Sequence, residues 1–154
     1  MDEQPFHHQR VVRFGECDPA GVVYYPVFFH WFHEAMEAWF STAVGIPYAD
    51  VLKEIGFPAA RTEADFKSPC RLGEPLHVHV DIERLGTRSL TLSFTVKGAA
   101  DGVVRAKGRT VCVCIRAKGE GFAFAAANIP PALHQRLKAI AASQSTAGAS
   151  PQQT

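Results

Sequence analysis

Asp18 is set apart by its surroundings. It lies in Phe14-Gly15-Glu16-Cys17-Asp18-Pro19-Ala20-Gly21-Val22-Val23-Tyr24-Tyr25-Pro26, a Pro/Gly turn directly ahead of a long apolar segment. A carboxylate so placed can act as a base toward water or as a nucleophile toward a carbonyl. Pro26 suits the first position of a helix, where its missing N–H costs nothing. Tyr25 then takes the cap position, and a tyrosine cannot satisfy the free N–H groups of the first turn as Ser, Thr, Asp or Asn would. Those donors are therefore predicted to be open to a ligand oxygen beside an acid. Read as structure alone, Asp18-Pro19-Ala20-Gly21 is a turn in which the aspartate bonds nearby N–H groups and proline fixes the next φ.

Metal chemistry is not expected. Cys112 and Cys114 alternate onto one face of a strand, and no second Cys/His pair at zinc-finger spacing accompanies them, so they read as small, reduced, buried thiols. His30-x-x-His33 lacks the i,i+4 spacing of a helical zinc pair and has no evident third ligand.

The segment Pro26 to Val44 must position the acid. Its polar residues, His30, His33, Glu34, Glu37 and Ser41, fall on one narrow arc at 100° per residue, and the rest of the circumference is apolar. Such a helix must be buried on several sides. Gly45 and Ile46-Pro47 end it. Tyr48 to Ile55 reads as a short second helix closed by Gly56.

Elsewhere the hydrophobic period is two. Val11, Val12 and Phe14 form an opening strand. Thr62, Ala64 and Phe66 alternate with charged residues, followed by Leu76, Val78, Val80, Ile82 and by Leu90, Leu92, Phe94, Val96. Asp101-Gly102 signals a hairpin into Val103 to Ile115, and a last turn near Lys118-Gly119-Glu120-Gly121 leads to Phe122-Ala123-Phe124. Short connections imply antiparallel pairing. Pro130-Pro131 opens a helix through Ile140. The Ala/Ser/Gln/Thr stretch 141–154 lacks the apolar groups to order itself and is expected to be a flexible tail. The fold class is α+β over residues 1–140, one domain in which a strongly curved sheet wraps the apolar helix.

The 154 residues can bury a sizeable core, and 16 basic against 15 acidic side chains give a charge of +1. No global field would recruit nucleic acid or an anionic membrane. The acidic start Met1-Asp2-Glu3-Gln4 has no apolar stretch behind it, and no run approaches bilayer length. A cytoplasmic protein with no nucleic-acid or membrane partner is expected.

From Phe14 through Pro26 the chain closely resembles the 4-hydroxybenzoyl-CoA thioesterase family, whose pattern of Asp-Pro-Ala-Gly, two aliphatic residues, an aromatic and a helix start is matched position by position. Element order extends the resemblance from about Val11 to Pro130. It implies a hotdog fold, an antiparallel sheet of about five or six strands around the central helix. It also implies a homodimer or homotetramer with active sites at the subunit boundary. The implied activity is hydrolysis of an aromatic, hydroxybenzoyl- or benzoyl-like, CoA thioester, with coenzyme A as part of the substrate and no separate cofactor. The family's catalytic carboxylate falls on Asp18, and its carbonyl-polarising backbone N–H on Tyr25. Gly21, Tyr24, Phe29 and His33 are the matching substrate residues. Arg84, Thr87, Arg88 and Ser89, in a glycine turn, are the matches for the CoA end, with Arg116 and Lys118 as outside candidates; without the family they read as a solvated hairpin turn. His33 stands where the family enzyme has an aspartate for the ring hydroxyl, so a different ring substituent fits; it is also an i,i+4 partner of Glu37. Asp18 can be nucleophile or general base. Cys17 is the weaker nucleophile, because its attack would only exchange one thioester for another. The alternative reading is a hotdog protein that binds an acyl thioester without fast hydrolysis, or one acting on short-chain or acyl-carrier-protein esters.

Overall fold

The computed structural model describes residues 5–117 and 123–147. The Met1-Asp2-Glu3-Gln4 start, the turn at Lys118 to Gly121, Phe122 and the last residues of the tail lie outside them. Five antiparallel strands form one sheet, in the order β1-β3-β4-β5-β2. They are β1 (His7–Val11), β2 (Ala59–Phe66), β3 (Pro75–Leu85), β4 (Ser89–Gly98) and β5 (Val104–Val113). A two-stranded ribbon, β6 (Ile115–Ala117) with β7 (Phe124–Ala126), stands apart. The inward residues predicted for β3 and β4 are buried or half-buried, whereas β2 forms as a strand but is exposed except at the half-buried Ala64, because it lies at a sheet edge. The opening strand lies earlier than expected: it runs His7–Val11 and so holds only Val11 of the predicted Val11, Val12 and Phe14, and Phe14–Glu16 is a 3-10 turn. There Arg13 N–H donates to Glu16 Oε1 at 2.8 Å and Glu16 N–H donates to Arg13 O at 3.0 Å, which closes the chain on itself.

Helix α1 (Val27–Trp39) lies on the sheet, contacting β1, β3 and β5. Its apolar arc is buried at Phe28, Trp31, Phe32, Ala35, Met36 and Trp39, while His30, His33 and Glu37 remain exposed. The closest approach is at Gly108 of β5: a Cβ there would run into the Phe32 ring, which stacks on Phe94 of β4 with centroids 4.9 Å apart. The last turn, Phe40–Val44, opens to a π turn and stops at Gly45, whose φ of 81° is the left-handed conformation that glycine adopts freely. Helix α2 spans Tyr48–Val51.

Helix α3 (Pro131–Ala147) runs well past Ile140, so the predicted tail is corrected for residues 141–147. Alanines favour the helix there. Gln144 also docks it onto the part of β3 that β1 leaves unpaired: Ile82 N–H donates to Gln144 Oε1 (3.1 Å), and Gln144 Nε2 donates to Asp81 Oδ1 (2.7 Å). Arg136 Nη1 donates to Val44 O at 3.0 Å, tying α3 to the end of the long helix. No helix among the described residues is long and apolar enough to cross a membrane.

Candidate active site

The segment between β1 and α1 folds as a small ribbon. Asp18 N–H donates to Val22 O, and Tyr24 N–H to Glu16 O, both at 2.9 Å. Within the ribbon, Gly21 N–H donates to Asp18 O (2.9 Å), closing a turn with Pro19 in its second position. Ala20 does not have positive φ whereas Gly21 has φ 78°, as in a type I turn followed by a left-handed glycine. Asp18 is half-buried; its Oδ1 accepts the Ala20 N–H at 2.9 Å, and the other oxygen has no partner among the described residues. One oxygen is thus fixed and the other is open.

At the helix end the expectation is narrowed. Val27, Phe28 and Phe29 N–H groups donate to the carbonyls of Tyr24 (3.0 Å), Tyr25 (3.2 Å) and Pro26 (3.2 Å), tight i to i−3 bonds that consume the first-turn donors. Tyr25 N–H alone, among these, meets no acceptor in the described residues. The reason is local: Pro26 already has helical dihedrals (φ −63°, ψ −22°), so the turn closes immediately behind it.

Two cavities lie elsewhere. The first, about 330 Å³, is bounded by Phe29, His33 and Met36 of α1, Tyr48 of α2 and the inner faces of β2, β4 and β5 through Thr62, Phe94, Thr110 and Cys112. Phe57, Pro58 and Ala59, where β2 begins, also line it. His33 Nε2 sits 3.1 Å from Glu37 Oε1, so this histidine both lines the cavity and has its i,i+4 partner. Burial pushes the Tyr48 hydroxyl up to about 12, with Cys112 and Glu37 adding to the shift, which keeps it a neutral donor. Thr62 and Thr110 hydroxyls bond at 3.0 Å. Sequence reasoning overlooked Tyr48, since only tertiary packing brings the short second helix over His33.

The second cavity, about 790 Å³, gathers Thr87 and Arg88 of the β3–β4 turn, Arg116, Asn128 and the start of α3 at Pro131, His134 and Gln135. Arg88 Nε donates to Asn128 Oδ1 at 3.1 Å. Arg84 and Ser89 line neither cavity. Arg84 is exposed beside the β3 bulge at Ile82/Arg84, and Ser89 Oγ turns toward Gly86.

Within one chain, Asp18 and Tyr25 border neither cavity. The ribbon is tied to the start of β3, through Val23 N–H to Cys70 O and Val12 N–H to Glu74 O (both 2.9 Å), whereas Arg88 follows the other end of that strand. Eleven residues of strand separate them, a span of about 33 Å. Around the ribbon, Tyr24 (54%) and Tyr25 (59%) are exposed, and Tyr25 meets Phe66 (47%) at the end of β2. Strand β2 is one of the two sheet edges, opposite β1, and is exposed at every residue except the half-buried Ala64.

Burial raises the Cys70 thiol to about 12 and the Cys112 thiol to about 11, and it raises Cys114 as well; all four cysteines are unpaired. Among the described residues no group of three or more His, Cys, Asp or Glu is placed to hold a metal ion.

Comparison with known proteins agrees with this architecture. A model of the thioesterase-like superfamily matches residues 12–137. The chain belongs to that superfamily. A 1,4-dihydroxy-2-naphthoyl-CoA hydrolase of Prochlorococcus marinus is 34% identical over 94 residues, covering 56% of this chain and 62% of the relative, so the match spans less than two thirds of that protein. A protein of the same name from Gloeothece citriformis is 32% identical over 114 residues, covering 70% of this chain and 77% of the relative. The solved structure of a gentisyl-coenzyme A thioesterase superposes with a TM-score of 0.72 at 29% identity, covering 83% of this chain and 98% of that one. This superfamily member has the hotdog arrangement of a sheet wrapped on one helix.

Proposed function

We propose that this chain is an acyl-CoA thioesterase that hydrolyses aromatic acyl-CoA esters to the free acid and CoA. The observation that carries the reading is that the ribbon leading into α1 carries both an Asp18 oxygen and a Tyr25 N–H without partners among the described residues. A thioester carbonyl gains little resonance from sulfur, so a directed donor polarises it well. Such a donor is worth about 3–4 kcal/mol on the developing oxyanion, whereas the helix dipole alone adds about 0.3–2 kcal/mol. Asp18 attacks the carbonyl carbon to expel the CoA thiolate, leaving a mixed anhydride that water opens, or it takes the proton of an attacking water. The chemistry needs no cofactor beyond the CoA of the substrate.

The cavity beneath α1 suits an aromatic acyl group: apolar walls at Phe29, Met36 and Phe94, with His33 and Tyr48 to meet a ring substituent. The names of the relatives point the same way. Arg88, Thr87 and Arg116 offer cations and donors to the phosphates of CoA.

The site is shared between two chains. An unpaired edge such as β2 invites a second copy. Antiparallel pairing of two β2 strands about a two-fold axis sets the Phe66 end of one, near Tyr25 and the Asp18 ribbon, beside the Ala59 end of the other, which lines the acyl cavity. The functional unit is therefore a homodimer, or a homotetramer built from it. Unpaired cysteines and a CoA ester substrate fit the reducing cytoplasm.

Release of free thiol from benzoyl-, hydroxybenzoyl-, dihydroxynaphthoyl- and short-chain acyl-CoA tests the reading. Turnover of the aryl esters ahead of the short-chain ones is expected; binding of every ester with hydrolysis of none would overturn it.

A further inference from the structure

We infer that Glu16 is the positioning residue of this site, the group that sets the Asp18 ribbon and the Tyr25 N–H against α1; the inference rests on the hydrolase reading above. Glu16 is held from four directions. Its Oε1 accepts from Arg10 Nη2 at 2.9 Å and from Arg13 N–H at 2.8 Å, and its Oε2 accepts from Trp31 Nε1 at 2.6 Å. Its main-chain carbonyl accepts the Tyr24 N–H at 2.9 Å. One residue therefore links β1, the 3-10 turn, the interior of α1 and the Val23–Tyr24 peptide.

The surroundings are those of a fixed strut. Trp31 is fully buried, and the Arg10 side chain is 7% exposed with its guanidinium 4.5 Å over the Trp31 ring. Arg10 Nε and Nη1 find no hydrogen-bond partner among the described residues. Nη1 is 3.4 Å from Glu34 Oε2, an ion-pair distance without hydrogen-bond geometry, and that carboxylate also meets His8 Nε2 at 3.2 Å. Glu16 is thus the carboxylate that hydrogen-bonds the buried guanidinium. Burying ions in this way adds little net stability over apolar packing; what it secures is a single geometry. Both Glu16 oxygens already hold donors, so Glu16 does not compete with Asp18 as base.

The consequence for the reaction follows from the ribbon. The Glu16–Tyr24 and Asp18–Val22 bonds are successive rungs, so the carbonyl of Glu16 holds the Val23–Tyr24 peptide, one residue ahead of the Tyr25 N–H, while its side chain pins the ribbon to Trp31. Released from Trp31 and Arg10, the ribbon tilts relative to the helix, and the acid and the N–H no longer face one carbonyl.

The test uses the full chain, the aryl-CoA ester that the wild type turns over best, and the variants Glu16→Gln and Trp31→Phe. For Glu16→Gln, kcat is expected to fall about 10- to 100-fold with KM changed less than about threefold, because displacement on the scale of 1 Å misaligns reacting groups. The acid limb of the pH profile stays in place. Amide exchange at Asp18 and Tyr24, the donors of the two ribbon rungs, quickens while that of β3 and β4 does not change. Trp31→Phe, which removes one donor and keeps a ring, shows a smaller loss of the same kind, and the double variant is no worse than Glu16→Gln alone, since both break one link. Wild-type kcat in Glu16→Gln overturns the inference, as does loss of the acid limb, which would make Glu16 the base, or a kcat loss matched by faster exchange throughout the sheet. Should Glu16→Gln not fold, unchanged kcat in Trp31→Phe overturns it. An inert wild type sinks the hydrolase reading itself, so the two failures are distinguishable.

Discussion

In the proposed reaction Asp18 has two duties that different measurements separate. Through Oδ1 it accepts the Ala20 N–H and shapes the turn; through its other oxygen it faces outward. Asparagine can keep the first duty and cannot perform the second. Asp18→Asn is therefore expected to lower kcat by a factor on the order of 10² to 10⁴ with an unchanged thermal midpoint. Near-normal turnover in a thiol-release assay would return Asp18 to the role of a turn residue. At this scale the sequence was informative where chemistry depends on neighbours along the chain, as with Asp18, Gly21 and Tyr25. It was silent on Glu16 and Tyr48, whose partners Trp31 and His33 come from another element. The helix-end donors were overestimated because cap type alone does not reveal that tight i to i−3 bonds take all but one.

At the scale of elements, α1 is placed by size as much as by hydrophobicity. Gly108 is the point where β5 lets the Phe32 ring come down onto the sheet. Gly108→Ala forces ring or helix outward, and overpacking of this kind costs about 1–3 kcal/mol. A fall of several degrees in melting temperature is expected; an unshifted midpoint would mean that the helix yields without strain. The β1–β3 pair makes a different prediction. Burial, with His7 nearby, holds His77 below its ordinary value of 6.5, and burial, Lys97 and His7 hold His79 down against the opposing pull of Asp81. The unfolded chain then takes up protons before the folded one does, so stability is flat above about pH 6.5 and falls as pH drops through the depressed folded values. The Arg105 bond that lowers Asp101 acts only below that carboxyl's ordinary 3.8, outside the window. Melting temperatures should decline from pH 7 to 5, and His77→Gln with His79→Gln should flatten the slope; an unchanged slope would assign the loss to other groups. Periodicity made β2 to β5 and α1 legible, because a half-buried strand and a helix must repeat on their own periods. The reach of α3 was not, since an Ala/Ser/Gln stretch shows no apolar face and Gln144 finds its partners only on the folded sheet.

For the whole molecule, the separation of Asp18 from Arg88 along β3 makes a subunit-exchange experiment decisive. In a mixture of Asp18→Asn and Arg88→Glu chains, a mixed dimer with shared sites has one site carrying both changes and one carrying neither. Random exchange of equal amounts should restore about a quarter of wild-type activity at low substrate concentration. No recovery despite exchange would place each site within a single chain. The edge position of β2 is a property of the assembled sheet, which alternation along the strand cannot announce. A last consequence concerns Cys112. An enzyme that handles activated acyl groups risks capturing them on its own sulfur, and this cysteine lines the cavity offered to the acyl group. Burial lifts its thiol to about 11, so the neutral thiol, not the nucleophilic thiolate, is the form favoured at neutral pH. In the proposed reaction, the burial that shields this sulfur thus disfavours its acylation by the substrate.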